Sequence, residues 1–209
     1  MEKLANKIAD TIAQNLGYDV EKTAVMAYGL AAMFQMVTIF IFTSIVGIIG
    51  GFWPECMIIF LSVGLLRKAT GGAHSEAFTG CLFISIFTIC FMAFLARYLF
   101  NNVDLLIISI FYMIVFITAL IVTYRKAPID TPKKPIKNPV KIKRLRRNAF
   151  LTITIYFIAV CILAYFSLEQ PRLLNLATSF AFATLWQTFM LTKTGTTLIG
   201  IVDRKFQYD

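Results

Sequence analysis

The sequence predicts an all-α polytopic membrane protein: about six transmembrane helices preceded by an N-terminal amphipathic helix. Three observations carry that prediction. Of 209 residues, 58% are apolar and 15% charged, with 20 phenylalanines, a balance too apolar for a soluble domain of this size. The apolar residues gather in continuous runs, several of them near the roughly 20 residues a helix needs to cross about 30 Å of hydrocarbon. The runs lack the alternation of barrel strands, and a helix satisfies its own backbone hydrogen bonds where no water can.

Residues 1–17 come first. Leu4, Ala5, Ile8, Ala9, Ile12, Ala13 and Leu16 recur at helical spacing, with Lys3, Lys7, Asp10 and Gln14 off that stripe and Gly17 as a stop. Charges throughout and no continuous apolar core exclude a signal peptide. The stripe fits an interfacial helix on the inner membrane surface or one packed on cytoplasmic loops.

Six apolar runs follow, at Ala24–Gly50, Phe52–Leu66, Phe78–Phe100, Leu105–Tyr124, Phe150–Leu168 and Leu173–Leu191. The second is short for a full crossing, which calls for tilt, thinned lipid or a re-entrant path. With both termini inside, only Arg97 and Arg172 of the 20 Lys and Arg fall on the other face. The excess of cations on the cytoplasmic side sets that orientation.

Two polar segments interrupt the runs. Residues 125–148, "RKAPIDTPKKPIKNPVKIKRLRRN", form a basic cytoplasmic loop, 125–149, whose prolines disfavour a continuous helix in its first half. Anionic lipid is its default partner, and it would also gather an acidic peptide at the membrane surface. No nucleic-acid-binding module accompanies the charge. The other segment, 67–81, reads "RKATGGAHSEAFTGC" and holds the only histidine, His74, seven residues before Cys81.

The other three of the four cysteines, Cys56, Cys90 and Cys161, sit in apolar runs, where cysteine is a small hydrophobe. One histidine and no C-x-x-C pair argue against zinc, and neither a metal nor another cofactor is expected. His74 and Cys81 form the pair that chemistry would use: a thiolate attacks a carbonyl, and an imidazolium stabilises the thiolate and protonates the leaving amine. On one straight helix their Cα atoms would stand about 10.5 Å apart, too far for contact. Gly71, Gly72 and Gly80 offer a fold-back; otherwise substrate docking or a partner subunit must complete the pair.

Arg67, Gly71-Gly72, His74 and Cys81 at the start of an apolar helix, followed by "KKP" at Lys133, Lys134 and Pro135, resemble the accessory gene regulator B (AgrB) family. The resemblance covers nearly the whole chain. It implies one integral-membrane peptidase domain, 1–209, in a bacterial cell membrane: a cysteine endopeptidase that processes an AgrD-type precursor of a cyclic autoinducing peptide in quorum sensing. Cys81 would be the nucleophile and His74 the base. Arg67, Gly71, Gly72, Lys133, Lys134 and Pro135 would bind substrate, the cations taking the precursor's acidic C-terminus while its amphipathic leader lies on the membrane. The acyl-enzyme would pass its thioester to a substrate thiol, closing a thiolactone, and the protein would be a homodimer. The rival class is an exporter of small peptides. Against it, the runs hold almost no ionisable residue away from their ends, where many ion-coupled transporters carry one.

Overall fold

The computed structural model describes residues 2–72, 78–100, 103–129 and 138–206, and among these it is all-helical. Helix α1 spans Glu2–Leu16, α2 Val20–Ile49, α3 Trp53–Thr70 and α4 Phe78–Phe94, which runs on into a π-helical turn at Leu95–Leu99; then come α5 Leu105–Lys126, α6 Pro139–Phe166, α7 Arg172–Met190 and α8 Lys193–Phe206. Each of the six apolar runs becomes one of the helices α2 to α7.

Four of these, α2, α4 with its π turn, α5 and α6, are long and apolar enough to cross a membrane. The expectation of about six is met only in part, because α3 and α7 fall short of that measure. Their surroundings explain why. α7 packs against α3, α5 and α6, and α3 also packs against α2 and α4, so α7 is largely enclosed by protein and α3 is enclosed on one face, with Leu61 and Leu65 exposed on the other. Enclosed helices can carry polar side chains that lipid would penalise. α7 buries Asn175, Thr178, Ser179, Thr184, Gln187 and Thr188, and α3 buries Glu55, Ser62 and Thr70. By contrast α2 buries only Ile39, Thr43 and Gly47, a row at four-residue spacing, and exposes Phe40, Ile41, Ile45 and Ile48.

Between helices in lipid there is little hydrophobic drive, so close approach of small residues and hydrogen bonds hold the bundle. At Gly47 a Cβ would stand 2.9 Å from the Trp53 Cα and 3.2 Å from the Cys56 Sγ. The Tyr112 hydroxyl meets the Thr178 Oγ1 at 2.8 Å, tying α5 to α7, and the Tyr156 hydroxyl donates to the Ser62 carbonyl at 3.0 Å, tying α6 to α3. Bonds of this kind average about 0.6 kcal/mol in membrane proteins, so they set register more than they add stability. At the α2–α3 end, Arg97 on the π turn pairs with the buried Glu55 at 3.5 Å, and the Tyr98 hydroxyl donates to the Gly50 carbonyl at 2.8 Å.

Three stretches differ from the sequence reading. α1 seats its small residues, Ala5, Ala9 and Ala13, against α2 and leaves Leu4 and Leu16 exposed. Only the alanines are short enough to sit in a tight helix–helix seam. Segment 125–149, read as a loop, is helical at both ends: α5 runs to Lys126, and α6 starts at Pro139 behind Asn138, whose side chain accepts from the Val140 N–H at 2.9 Å. A capping asparagine, a proline at the first helical position and a run of Lys and Arg are all helix-compatible. Finally, the tail beyond Lys193 forms α8, with the Thr192 hydroxyl accepting from the Gly195 N–H at 3.2 Å and Ile199 buried against the bundle.

The α2–α3 contact makes a direct prediction. Gly47→Ala forces two backbones apart and should lower the stability of the protein in detergent by about 1–3 kcal/mol, as overpacking does. Gly64→Ala, on α3 with nothing within 4 Å of the added Cβ, should be neutral or gain up to about 1 kcal/mol of helix propensity. Thermal unfolding of the two variants side by side checks this; equal midpoints would contradict the seam.

Candidate functional site

The site is built where α3 ends. Arg67 lies in the last turn of α3, and the chain then breaks sharply: Gly71 has φ 68° and Gly72 φ 122°. Both angles lie where side chains are strained, so glycine is needed for conformation alone. Gly71 is needed for space as well, because a Cβ there would collide with the Ile129 carbonyl oxygen. That contact belongs to a parallel bridge between Gly71 and Ile129, in which the Ile129 N–H donates to the Thr70 carbonyl at 2.9 Å. The Arg146 Nε donates to the Ala127 carbonyl at 2.9 Å. Through these bonds the connection leaving α5 is pinned to the elbow after α3, and the basic block of α6 is pinned to that connection.

Beyond the elbow α4 begins at Phe78, which puts Cys81 in its first turn and Gly80 inside the helix. Cys81 is buried, at 9% exposure. It lines a cavity of about 20 Å³ with Arg67, Ile84, Ser85, Trp186, Met190 and Ile199. That is room for about one water molecule. Four helices contribute: α3 gives the cation, α4 the thiol, and α7 and α8 an apolar wall. Two influences on a thiolate at Cys81 are therefore favourable, the start of a helix and a nearby cation, and one, burial, is not.

The predicted site residues divide into two groups. Arg67 and Cys81 line the same cavity, and Gly71 and Gly72 form the bend that separates α3 from α4. His74, Lys133, Lys134 and Pro135 lie outside the described residues. None of the four cysteines is in a disulfide; Cys56 is buried between α2 and α3, and Cys161 is exposed on α6.

Sequence reasoning missed two contributors. Gln187 on α7 donates from its amide nitrogen to the Thr70 Oγ1 at 2.9 Å and to the Gly71 carbonyl at 2.7 Å, and is 1% exposed. The only signal for it was a long amide in an otherwise apolar run. α8 was the other, signalled by Leu198, Ile199, Val202 and Phe206 at helical spacing behind Thr192.

The family model of accessory gene regulator B matches residues 5–191. Two relatives, both in Clostridium perfringens and both described as AgrB-like, span nearly the same length. The one from strain SM101 is 29% identical over 206 residues, covering 97% of this chain and 96% of the relative. The one from strain 13 is 30% identical over 210 residues with the same coverages. A Clostridium beijerinckii AgrB-like protein is 29% identical over 119 residues, covering 57% of this chain and 54% of its own. No solved structure matches the chain. The chain belongs to the accessory gene regulator B family of membrane proteins, and that membership implies a part in quorum-sensing peptide processing with an AgrD-type precursor as its partner.

Proposed function

We propose that this chain is a membrane-embedded cysteine endopeptidase in which Cys81 is the nucleophile and His74 its base. The observation that carries the reading is the placement of Cys81: a buried thiol in the first turn of α4, sharing a cavity with the cation Arg67. The cation and the helix start favour a thiolate, the attacking species, against the burial that opposes it, where an inert core cysteine would have only apolar neighbours. His74 follows Gly72 by two residues and precedes Phe78 by four. The break at Gly71-Gly72 ends α3 before His74 is reached, so the histidine is not held to the axis of α3.

The Cys81 thiolate attacks the carbonyl carbon of the scissile peptide bond. The C–N bond breaks as the imidazolium gives its proton to the departing amine, and the acyl group is left on sulfur as a thioester. A thiol of the substrate, its proton taken by the imidazole, then attacks the same carbonyl; the C–S bond to Cys81 breaks and a thiolactone closes. No oxidant enters: the acyl group passes from nitrogen to sulfur and then to the substrate's sulfur, and because an amide is a more stable acyl compound than a thioester, removal of the products must draw the exchange forward. An apolar wall of Trp186, Met190 and Ile199 limits water, which would otherwise hydrolyse the thioester.

Arg67, Lys133 and Lys134 hold the acidic C-terminal part of the precursor in this reading. The bridge at Ile129 supports it: Lys133 follows by four residues, a reach of at most about 14 Å from a point fixed beside Gly71. α1, with Lys3 and Lys7 on its outer face, lies with the precursor's leader on anionic lipid. The protein works as one domain of six spans, in a bacterial cell membrane, as a homodimer with both termini and the site on the cytoplasmic side.

Two experiments test this. With the protein in lipid and an AgrD-type precursor supplied, Cys81→Ala and His74→Ala should each reduce cleavage by at least about 100-fold, the span of nucleophile and base effects. A protein with Cys56, Cys90 and Cys161 all replaced by alanine should retain it; cleavage surviving Cys81→Ala, or peptide export without cleavage, contradicts the reading. For topology, cysteines introduced as Lys7→Cys and Lys193→Cys should resist a membrane-impermeant maleimide in intact cells, while Arg172→Cys reacts. The reverse pattern overturns the orientation.

A further inference from the structure

Gln187 is a buried amide whose hydrogen bonds all point at one place. Its orientation is fixed by its partners. The Gly71 carbonyl can only accept, so the atom 2.7 Å from it is the amide nitrogen. Thr70 gives its hydroxyl proton to the Leu66 carbonyl at 3.0 Å, which leaves a lone pair to accept from the same nitrogen at 2.9 Å. Both amide hydrogens are thereby used on consecutive residues of the elbow. The Gln187 Oε1 is buried with no hydrogen-bond partner among the described residues.

That unpaired oxygen bears on why the residue is a glutamine. A buried carbonyl without a donor is unfavourable, and buried polar groups are nearly always paired. An apolar side chain of the same length would fill the space without that cost. It would also leave the Gly71 carbonyl without the donor it now has, so what the amide contributes is its pair of donors. Those donors act on the least constrained backbone in the site, the two glycines with φ 68° and 122°, which could otherwise leave α3 in several directions. The approach is close: a Cβ at Gly72 would stand 3.3 Å from the Gln187 Nε2 and 3.4 Å from the Met190 carbonyl oxygen. Trp186 and Met190, flanking Gln187 on α7, line the Cys81 cavity, so one helix supports both the thiol's wall and the elbow.

We infer that Gln187 is a positioning residue of this site: by holding Thr70 and Gly71 from α7, it fixes the direction in which the chain leaves α3 beside the Cys81 cavity, and the proposed action of His74 on Cys81 depends on that direction. The inference rests on the proposed Cys81–His74 chemistry and adds a residue on a different helix to it.

The test is a double-mutant cycle on a chemical property of Cys81. In protein with Cys56, Cys90 and Cys161 replaced by alanine, Cys81 is the sole thiol, and its rate of reaction with methyl methanethiosulfonate at pH 7 reports how far the thiolate is formed. His74→Ala should slow that reaction by about tenfold or more if imidazole supports the thiolate. Gln187→Met, of similar volume with no donor, should slow it at least about threefold and lower kcat for precursor cleavage with KM little changed. The double variant should be no slower than His74→Ala alone, because a residue that acts through another has nothing left to act on. Multiplied effects would mean a general loss of packing and would overturn the inference. So would a Gln187→Met rate equal to the parent's beside a slowed His74→Ala, and in that outcome the Cys81–His74 pairing survives. If His74→Ala leaves the rate unchanged, the pairing falls and the inference with it. Should Gln187→Met fail to fold, Gln187→Asn, one methylene too short to span to the elbow, takes its place in the same cycle under the same criteria.

Discussion

A polar group inside hydrocarbon must find its partner within the protein, and the arrangement of this bundle follows from that constraint. α7 carries a polar face and is enclosed, and α3 turns Glu55, Ser62 and Thr70 into the bundle while Leu61 and Leu65 stay exposed; α2, α4, α5 and α6 are the long apolar helices. Most of the buried hydroxyls on α7 bond back to their own helix, as Thr178, Ser179 and Thr188 do to the carbonyls four residues earlier. The exceptions reach across: the Tyr112 hydroxyl, on α5, to Thr178, and the Gln187 amide, on α7, to the elbow after α3. These cross-links give the polar face of α7 a structural use within the bundle.

The same constraint decides where chemistry is possible. α3 and α7 end near each other, α4 begins there, and α8 folds back over the junction, so a polar cavity can exist at that end with apolar walls. The cavity is small, about 20 Å³, enough for one water and not for a peptide. At the elbow beside it, a side chain on Gly71 or Gly72 would meet Ile129 or Gln187. Burial opposes a charged thiolate and Arg67 with the helix start favours it. A balance of this kind makes the thiol's reactivity sensitive to a third group, which is the place an imidazole would fill.

Much of the architecture was legible in the sequence because apolar runs of helical length have few alternatives in a bilayer. All six runs became helices, with ends moved by up to eleven residues at α6, where the sequence reading treated Lys and Arg as loop markers. Charge says where a helix leaves lipid and does not say where the helix ends. The enclosure of α7 and of one face of α3 was less visible, since their hydroxyls and amides read as weak breaks in apolar runs until the neighbours are known. The glycines at 71 and 72 do take conformations that favour glycine, whereas Gly80, also read as a place to fold back, lies inside α4, and the path between His74 and Phe78 lies outside the described residues. Gln187 was out of reach: its partners stand 116 and 117 residues away, and nothing in the spacing of one chain records a contact made across the whole fold.

The account turns on whether the Cys81 sulfur becomes covalently attached to the substrate's carbonyl carbon. Mixing the protein in lipid with an AgrD-type precursor whose internal cysteine is replaced by serine, quenching in acid and analysing the digested protein by mass spectrometry addresses this directly. The precursor's acyl fragment should appear on the peptide containing Cys81, removable by hydroxylamine as a thioester is. Its appearance on Cys56, Cys90 or Cys161, or cleavage that proceeds with Cys81 unmodified throughout the time course, would contradict the account.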